Sequence, residues 1–257
     1  MGINKICISI GTNSINALKN KVNESIKSNV DFIEIRFDFF DKSAMNDALE
    51  VVLDHKERAV FTCRANNEGG RYNGAEPDRI TTLRRLAAVR PMLLDVEYNT
   101  MKENEDLLDQ FTAQSCDILV SWHNFERTPS KDELANMMKK MKAYGNNIKI
   151  VCMAKSLYDS ISILRLYELA KTVNINLIAF CMGKHGIVSR VLCTHAGSRF
   201  TYASLVEAIA PGQLTIKQMQ IIYERLEKEK PELNDYNKWK EKQDFNDILK
   251  LINDSIS

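Results

Sequence analysis

One lysine lies inside an apolar run that is typical of a buried strand. Residues 148–153 read Ile-Lys-Ile-Val-Cys-Met, and Lys149 is the only charged residue among them. Lysine is almost never fully buried unless it is paired with another group or has a function. Burial disfavours the charged form of an amine, and a neutral amine can attack a carbonyl carbon to form a Schiff base. Taken alone, the run is better explained by a lysine at a strand edge whose ammonium group reaches water.

The other strand-like runs change that interpretation, because several of them carry polar or ionisable residues toward their C-terminal ends. These residues are Glu34, Arg36, Arg64, Asp95, Glu97 and His123, and Arg190 and Gln213 follow near the last runs. An exposed strand end would explain any one of them, but parallel strands are normally covered on both faces. Barrel enzymes build their active sites at the C-terminal ends of the strands. The set therefore predicts an active site around Lys149, with the arginines close enough to favour its neutral amine.

The elements that would position these residues are short apolar runs that alternate with amphipathic segments. The strand-like runs cover residues 5–10, 31–37, 59–64, 92–97, 117–122, 148–153, 176–182 and, more weakly, 199–202. Between them apolar residues recur every three or four positions, as in Ile80, Leu83 and Leu86, which is typical of helices. About eight such repeats in a chain of this length predict a (β/α)8 barrel. An open doubly wound sheet is the alternative, but no G-x-G-x-x-G follows the first strand, so its nucleotide-binding version loses support.

Composition indicates a cytoplasmic protein with one large domain. The 257 residues are 44% hydrophobic and 27% charged, and the formal net charge is +1. No long block of one charge is present, so neither nucleic acid nor a membrane is expected as a partner. The six cysteines have no CxxC spacing and lie mostly in apolar runs, which predicts buried, reduced thiols and no metal site. The N-terminus lacks the pattern of a signal peptide.

Seven short motifs follow one another in an order that resembles one enzyme family. They are EIRFD (34–38), TCR (62–64) with EGG (68–70), DVE (95–97), SWHNF (121–125), KIVCM (149–153), MGKHGIVSR (182–190) and APGQ (210–213). Each motif is weak by itself, but over residues 5–228 the chain resembles type I 3-dehydroquinate dehydratase, a lyase of the shikimate pathway. The resemblance implies a (β/α)8 barrel, usually a homodimer, that converts 3-dehydroquinate to 3-dehydroshikimate and water without a cofactor.

The resemblance assigns three residues to the chemistry. Lys149 would condense with the ketone of the substrate, and the resulting iminium would acidify the neighbouring C–H. His123 would be the general acid and base, because imidazole has an ordinary pKa of about 6.5 and can both take and give a proton near neutrality. Glu68 would orient the imidazole. Without the resemblance, His123 would be a hydrogen-bonded structural residue and Glu68 an exposed loop carboxylate.

A second set of residues is assigned to the substrate, a carboxylate that carries several hydroxyl groups. Arg190 would clamp the carboxylate, since a guanidinium group matches a carboxylate with two parallel hydrogen bonds. Arg64, Glu34 and Arg36 would bind ring hydroxyls and hold one another in place. Ser9, on the first strand, would reach the site as a hydroxyl donor.

Apolar walls would keep the imine dry. Phe125, Phe180 and Met182 are the candidates for these walls, and plain core packing is an almost equally good explanation of them. Asp95 and Glu97 are expected to form a structural network under the arginines. Two further substrate contacts come from the last motif, at Ala210 and Gln213.

The chain departs from the family in three places. Ile209 stands where a serine often precedes the Ala-Pro-Gly-Gln segment, which removes one hydrogen bond from the closing loop, and Ala154 stands where proline is common. The chain also continues past the barrel domain of residues 1–229 with an extension of residues 230–257. In this extension Phe245, Ile248, Leu249 and Ile252 form an apolar stripe at helical spacing. The stripe predicts a helix packed on the barrel, and a helix that docks a partner or extends a dimer is the alternative.

Two other functions compete with the dehydratase. A class I aldolase or transaldolase also pairs a barrel with a Schiff-base lysine, but it would need a glycine-rich phosphate site at the last strands. The Ala-Pro-Gly-Gln segment is a poor match for such a site, and Arg190 suits a carboxylate better. A degenerate barrel kept as a binding module would have lost Lys149, His123 or Glu68, and all three are present.

Overall fold

The computed structural model describes residues 5–206, 210–229 and 242–256, in which eight strands alternate with helices. The strands are β1 (Ile6–Ile10), β2 (Phe32–Arg36), β3 (Ala59–Thr62), β4 (Leu93–Glu97), β5 (Ile118–Asn124), β6 (Asn147–Met153), β7 (Asn176–Met182) and β8 (Thr201–Ala203). The helices are α1 (Ile15–Lys27), α2 (Met45–Val52), α3 (Glu76–Val89), α4 (Tyr98–Glu103), α5 (Leu107–Ala113), α6 (Lys131–Lys142), α7 (Leu157–Thr172), α8 (Ile187–Ala196), α9 (Ile216–Glu229) and α10 (Lys242–Ile256).

The strands form one sheet in the order β7-β6-β5-β4-β3-β2-β1-β8, and at least one helix separates each strand from the next. This is the (β/α)8 barrel that the alternation predicted, and the open doubly wound sheet is excluded. Strands β1 to β5 pair in parallel, and their register places Ser9 beside Glu34 and Thr62 beside Asp95. Because neighbours in register on parallel strands lie side by side, these polar residues are brought together by the sheet itself.

The chain divides into two compact units. The N-terminal unit comprises residues 7–122 and 141–149 and contains most of β1, strands β2 to β4, most of β5, helices α1 to α5 and the first residues of β6. The C-terminal unit comprises the remaining residues and contains most of α6, the end of β6, strands β7 and β8, and helices α7 to α10.

Four of the turns between a helix and the next strand contain a residue with a left-handed backbone. Asn29, Arg90, Ser115 and Asn174 have φ angles of 53–55° and each lies between a helix and the strand that follows it. Such a residue lets the last carbonyl groups of the helix accept hydrogen bonds before the chain reverses. At the other end of a helix, Ser156 caps α7 through a capping box with Asp159.

The strands are buried almost throughout, and the thiols lie among their apolar side chains. All six cysteines are free and buried, as predicted. Burial raises the pKa of each thiol; that of Cys116, for example, is raised to about 12. No helix among the described residues has both the length and the apolar character needed to cross a membrane.

The C-terminal helix α10 packs against α8 and α9 within the C-terminal unit. Phe245, Ile248 and Ile252 are buried as the stripe predicted, but Leu249 is only partly buried and Leu251 is buried in its place. Arg225 of α9 donates a hydrogen bond of 2.9 Å to Oγ of Ser255. The predicted extra helix is therefore present, and its apolar face is covered by the neighbouring helices.

Candidate active site

Lys149 is buried in β6, with 6% of its surface exposed, and its amine contacts two carboxylates. Nζ lies 3.0 Å from Oδ2 of Asp95 and 3.6 Å from Oε1 of Glu34. The direct ion-pair partners of this amine are therefore acidic, and Arg64 is linked to it through Asp95. The effect of the arginines on the amine stays a prediction. A strand-edge lysine in water is also excluded, because both carboxylates are themselves buried.

Asp95, in the middle of β4, connects Lys149 to Arg64. Its Oδ1 atom accepts a hydrogen bond of 2.6 Å from Ser121 and lies 2.7 Å from Nη2 of Arg64. Arg64 also donates a hydrogen bond of 2.6 Å to Oγ of Ser121, and 3% of its surface is exposed. The predicted network under the arginines is present, and it includes a direct contact with Lys149.

Glu34, on β2, is held by its neighbours on β1 and β3. Oε2 accepts a hydrogen bond from Ser9, and Oε1 accepts one of 3.0 Å from Thr62. The hydroxyl of Ser9 is therefore occupied by Glu34, although Ser9 lies in the region predicted for it. Because these donors fix both carboxylate oxygens, Glu34 presents a fixed negative charge to Lys149.

Arg36 follows Glu34 by two residues but forms a separate pair. Its guanidinium donates to both oxygens of Asp38, at 2.8 and 2.6 Å. Asp38 is buried and also accepts a hydrogen bond from the backbone N–H of Arg71. No hydrogen bond or ion pair joins Arg36, Arg64 and Glu34 to one another among the described residues. The expectation that these three hold each other in place is therefore wrong.

Glu68 lies in a tight turn after β3 and is 8% exposed, so it is not the exposed loop carboxylate of the alternative interpretation. Gly70 is needed in this turn, because a Cβ atom there would lie 2.0 Å from the carbonyl oxygen of Arg64. The side chain of Glu68 accepts a hydrogen bond of 3.3 Å from Asn99. Burial raises the pKa of Glu68 to about 7. The nearby carboxylates Glu97 and Asp95 also raise it, and Arg64 lowers it. A cavity of about 400 Å³ adjoins this carboxylate.

In the C-terminal unit, His123 lies at the end of β5 and stacks on Phe125. The two ring centroids are 6.1 Å apart and the planes differ by 19°. Phe125 is 42% exposed, whereas Phe180 and Met182 at the end of β7 are 3% exposed. The exposed ring of Phe125 is available to a ligand, and the two buried residues also serve the core.

Arg190 lies in α8 and is buried, with 1% of its surface exposed. Its guanidinium lies over the ring of Phe180, 4.4 Å from the centroid. The Nε and Nη2 atoms have no hydrogen-bond partner among the described residues. Burial lowers the pKa of Arg190 to about 10, because no carboxylate in the described part of the chain offsets the loss of water. A buried guanidinium with two unused donors on one side is suited to an anion that brings two acceptors.

The last motif also belongs to the C-terminal unit. Gln213 and Ala210 are both partly buried, and the backbone N–H of Gln213 donates to the carbonyl oxygen of Ala210 at 3.1 Å. The carbonyl oxygen of Pro211 accepts a hydrogen bond from Gly183, at the end of β7. Ile209 lies outside the described residues.

Three residues around the site were not predicted. Ser121 and Thr62 lie inside the matched motifs, but a serine or threonine on a strand does not by itself indicate a place in an active site. Arg79 is fully buried in α3 although a charged residue on a helix is usually taken as exposed. The helical spacing contains a signal for it, since Arg79 lies four and seven positions before the buried residues Leu83 and Leu86.

A model of the type I 3-dehydroquinase family matches residues 6–230. The chain belongs to the type I 3-dehydroquinase family. It is an enzyme, and membership makes it a hydro-lyase. A 3-dehydroquinate dehydratase of Dehalococcoides mccartyi is 40% identical over 195 residues, which cover 75% of this chain and 84% of the relative. A second, of Thermococcus onnurineus, is 37% identical over 202 residues, covering 78% of this chain and 90% of the relative.

Solved structures of 3-dehydroquinases have the same fold. The 3-dehydroquinate dehydratase of Geobacillus kaustophilus has a TM-score of 0.79 at 24% identity, over 88% of this chain and 92% of that chain. The type I enzyme of Clostridium difficile, solved with covalent modified comenic acid, has a TM-score of 0.77 at 23% identity. The similarity covers 89% of this chain and 94% of that chain. These similarities confirm the (β/α)8 fold.

Proposed function

We propose that the protein converts 3-dehydroquinate to 3-dehydroshikimate and water in the shikimate pathway, through a Schiff base on Lys149 and without a cofactor. The observation that carries this proposal is a buried lysine amine in contact with two carboxylates, on a strand within the region that the family model matches. The relatives described above are dehydratases of this substrate.

The first step is attack of the amine on the ketone. Attack uses the lone pair of Nζ, so an ammonium group must first lose a proton, and Oδ2 of Asp95 is 3.0 Å away to accept it. Loss of water from the addition product leaves a protonated iminium at the same nitrogen. The positive charge stays at Nζ, so the contacts of Lys149 with Asp95 and Glu34 stabilise the intermediate as well as the ammonium.

The second step is the elimination, for which we propose His123. The iminium draws electrons from the adjacent carbon, and the imidazole removes a proton from that carbon to give an enamine. The enamine then expels the hydroxyl group, which takes the proton from the imidazolium and leaves as water. One further water hydrolyses the iminium and frees Lys149, so it balances the water lost during condensation.

Glu68 is proposed to orient His123 and to stabilise its imidazolium form. A buried carboxyl whose pKa is raised to about 7 changes its charge near neutrality. The ionised form would favour the imidazolium, and the protonated form would not. This makes the protonation of Glu68 part of the pH dependence of turnover.

Arg190 is proposed to hold the carboxylate of the substrate. Its unused Nε and Nη2 donors fit the two oxygens of one carboxylate. Arg36, which is partly exposed, is proposed to reach a ring hydroxyl. Ser9 is proposed to contact the substrate through the lone pairs of its oxygen, because its proton is donated to Glu34. Arg64 is proposed to act mainly on its acidic neighbours, because both of its terminal nitrogens are engaged by Asp95, Ser121 and Glu97.

The remaining predicted contacts complete the proposal. Phe125, Met182 and Phe180 would form the apolar walls, and Gln213 and Ala210 would close over the substrate. A homodimer in the cytoplasm is proposed from the resemblance to the family. The barrel domain of residues 1–229 would carry the activity, with residues 230–257 as an addition to it.

Borohydride reduction in the presence of 3-dehydroquinate tests the proposal. The reduced adduct should be found by mass mapping on the peptide that contains Lys149, and the variant Lys149→Ala should form no adduct. Lys155→Ala is the matched control, because this lysine is the next one along the chain and should leave trapping unchanged. An adduct on Lys155, with Lys149 unmodified, would overturn the assignment.

A further inference from the structure

Arg79 is a charged residue with no exposed surface, placed in the first turn of α3. Its guanidinium makes five hydrogen bonds, and two of them go to the carboxylate of Glu76. Two others leave from Nη1, which donates to the carbonyl oxygen of Cys63 and to Oε2 of Glu97, both at 2.8 Å. The last goes to the hydroxyl of Thr100. Arg79 therefore contacts the residue just before Arg64 in the chain and a buried carboxylate beside it.

Glu97 lies between two arginines. Its Oε2 atom faces Arg79, and its Oε1 atom lies 3.2 Å from Nη1 of Arg64 and accepts a hydrogen bond of 3.0 Å from the backbone N–H of Ala65. The carboxylate is 1% exposed. Because a buried charge must be compensated by its neighbours, the positions of the two arginines depend on each other through Glu97.

The charges continue from Arg64 to the reactive lysine. Nη2 of Arg64 lies 2.7 Å from Asp95, and the other oxygen of Asp95 lies 3.0 Å from Nζ of Lys149. Arg79, Glu97, Arg64, Asp95 and Lys149 thus alternate in sign through four successive ion pairs. All five residues belong to the N-terminal unit.

We propose that Arg79 is a positioning residue, which holds Arg64 through Glu97 and the Cys63 carbonyl so that Arg64 pairs with Asp95 next to Lys149. This inference rests on the function proposed above. Without the charge of Arg79, Glu97 would keep Arg64 as its ion-pair partner among the described residues. Arg64 would then be drawn toward Glu97, and Asp95 would be left to pair with Lys149 more tightly.

The same charges act on Glu68. The cavity of about 400 Å³ is lined by Glu68, Glu97 and Arg79 together. Glu97 is one of the carboxylates that raise the pKa of Glu68, and Arg64 lowers it. Removal of Arg79 leaves the negative charge of Glu97 less compensated, which disfavours ionisation of Glu68 further. Removal of the charge of Glu97 has the opposite effect.

Four variants test the proposal: Arg79→Gln, Glu97→Gln, the double variant and Arg79→Lys. Arg84→Gln is the matched control, because Arg84 lies on the same helix and its partners Asp106 and Gln110 are at the surface. The first measurement is the titration of the Glu68 carboxyl by carbon NMR in the ligand-free protein, with Glu68→Gln to assign the signal. The others are kcat and KM for 3-dehydroquinate, and the melting temperature.

The titration midpoint of Glu68 should rise in Arg79→Gln, fall in Glu97→Gln and return toward the parent value in the double variant. Arg79→Lys should keep the parent midpoint while losing thermal stability, because lysine retains the charge but not the planar donor group. In Arg79→Gln, kcat should fall between about tenfold and about 100-fold with a smaller change in KM, since the site is displaced but Arg190 is untouched. Arg84→Gln should match the parent.

A lower melting temperature in Arg79→Gln, with an unchanged titration midpoint and unchanged kcat, would mean that Arg79 only ties α3 to the sheet and would overturn the proposal. If Arg79→Gln does not fold, an unchanged midpoint in Glu97→Gln overturns it equally. Absence of turnover by the parent would refute the proposed function. The NMR titration needs no substrate, so it still decides whether Arg79 and Glu97 control the charge of Glu68.

Discussion

The Nζ atom of Lys149 lies 3.0 Å from Oδ2 of Asp95. The Oδ1 atom of the same carboxylate pairs with Arg64, so Asp95 shares its charge between two cations. This division matters for the Schiff base proposed on Lys149, because the amine would need a partner that can accept its proton and later face a positively charged iminium. A carboxylate with one oxygen for Arg64 and one for Lys149 can do both.

Asp95→Asn should therefore slow condensation as well as elimination. The amide cannot accept a proton as a carboxylate does, and the buried Arg64 and Lys149 lose a shared counter-charge. We expect kcat to fall at least about 100-fold, the scale of a lost general base. The free energy of unfolding should fall by about 3–5 kcal/mol, because a buried charge is left without its partner. Urea unfolding and the rate of borohydride-trapped adduct formation measure the two effects. Rapid trapping in the variant would show that another group takes the proton.

His123→Ala should separate condensation from elimination. Turnover should fall by at least about 100-fold, since the proposed general acid and base is lost. The protein should remain folded, and borohydride should still trap some adduct on Lys149, because Asp95 and Glu34 remain in contact with the amine. His55→Ala is the matched control, since His55 lies in the turn before β3 and has no assigned role. Turnover close to the parent value would return His123 to a structural role.

Arg190→Lys should mainly weaken binding. Lysine keeps the positive charge but offers no planar pair of donors to a carboxylate. We expect KM to rise with a smaller loss in kcat, and the dissociation constant measured by calorimetry in a Lys149→Ala background should rise in parallel. Arg165→Lys on the exposed face of α7 serves as the control. Equal affinity in Arg190→Lys and the parent would mean that Arg190 does not hold the carboxylate.

The raised pKa of Glu68 predicts two pH effects of opposite sign. Its value of about 7 in the folded protein exceeds the ordinary 4.5, so the folded state binds a proton that the unfolded state has already released between these pH values. The stability from this group is full below about pH 4.5 and is lost as the pH rises through about 7. Turnover should rise over the same range as Glu68 ionises and supports the imidazolium of His123.

The variant Glu68→Gln tests both the effect of pH on stability and the effect of pH on turnover. The variant should lose activity at every pH and should show a smaller decline of unfolding free energy between pH 4.5 and 7 than the parent. The difference between variant and parent is the quantity to use, because His195, whose pKa is lowered to about 4 by burial, titrates in part of the same range. An identical slope in both proteins would contradict the raised pKa.

The fold could be predicted from the sequence because its signals are local. Eight apolar runs and the helical spacing between them determine the elements, and the ends of the runs differ from the strands by a few residues. Most of the motifs lie at or just after the end of a strand, so they indicated which residues to consider for the site. The roles of those residues stay predictions. The weak run at 199–202 corresponds to β8, which has only three residues, Thr201–Ala203.

The pairing inside the site could not be predicted, because it depends on distances between strands. Arg36 lies two residues from Glu34 and two residues from Asp38, so the sequence allows a pair with either carboxylate. The structure pairs it with Asp38, in the turn that follows β2, which accepts hydrogen bonds from Nε and Nη2 of Arg36. Lys149 was expected in a set of arginines and carboxylates, but the spacing did not indicate which of them would contact its amine directly. Sequence spacing indicates which face of a strand a residue shares, but not which side chain on the next strand meets it.

The last prediction concerns α10, whose helical stripe allowed two interpretations. Ile252 has no exposed surface, and α10 packs on α8 and α9. If α10 unfolds together with the barrel, Ile252→Ala should lower the free energy of unfolding by about 2–5 kcal/mol, the usual range for removing a buried isoleucine side chain. Lys250→Ala, at an exposed position of the same helix, should change it little.

Urea unfolding gives the free energies, and light scattering gives the mass of both variants and the parent. A lower free energy for Ile252→Ala with an unchanged mass and unchanged kcat is the expected result, because the side chain packs within its own subunit and far along the chain from Lys149. A change in mass with little change in stability would favour the alternative, in which the apolar face of α10 joins two copies or docks a partner.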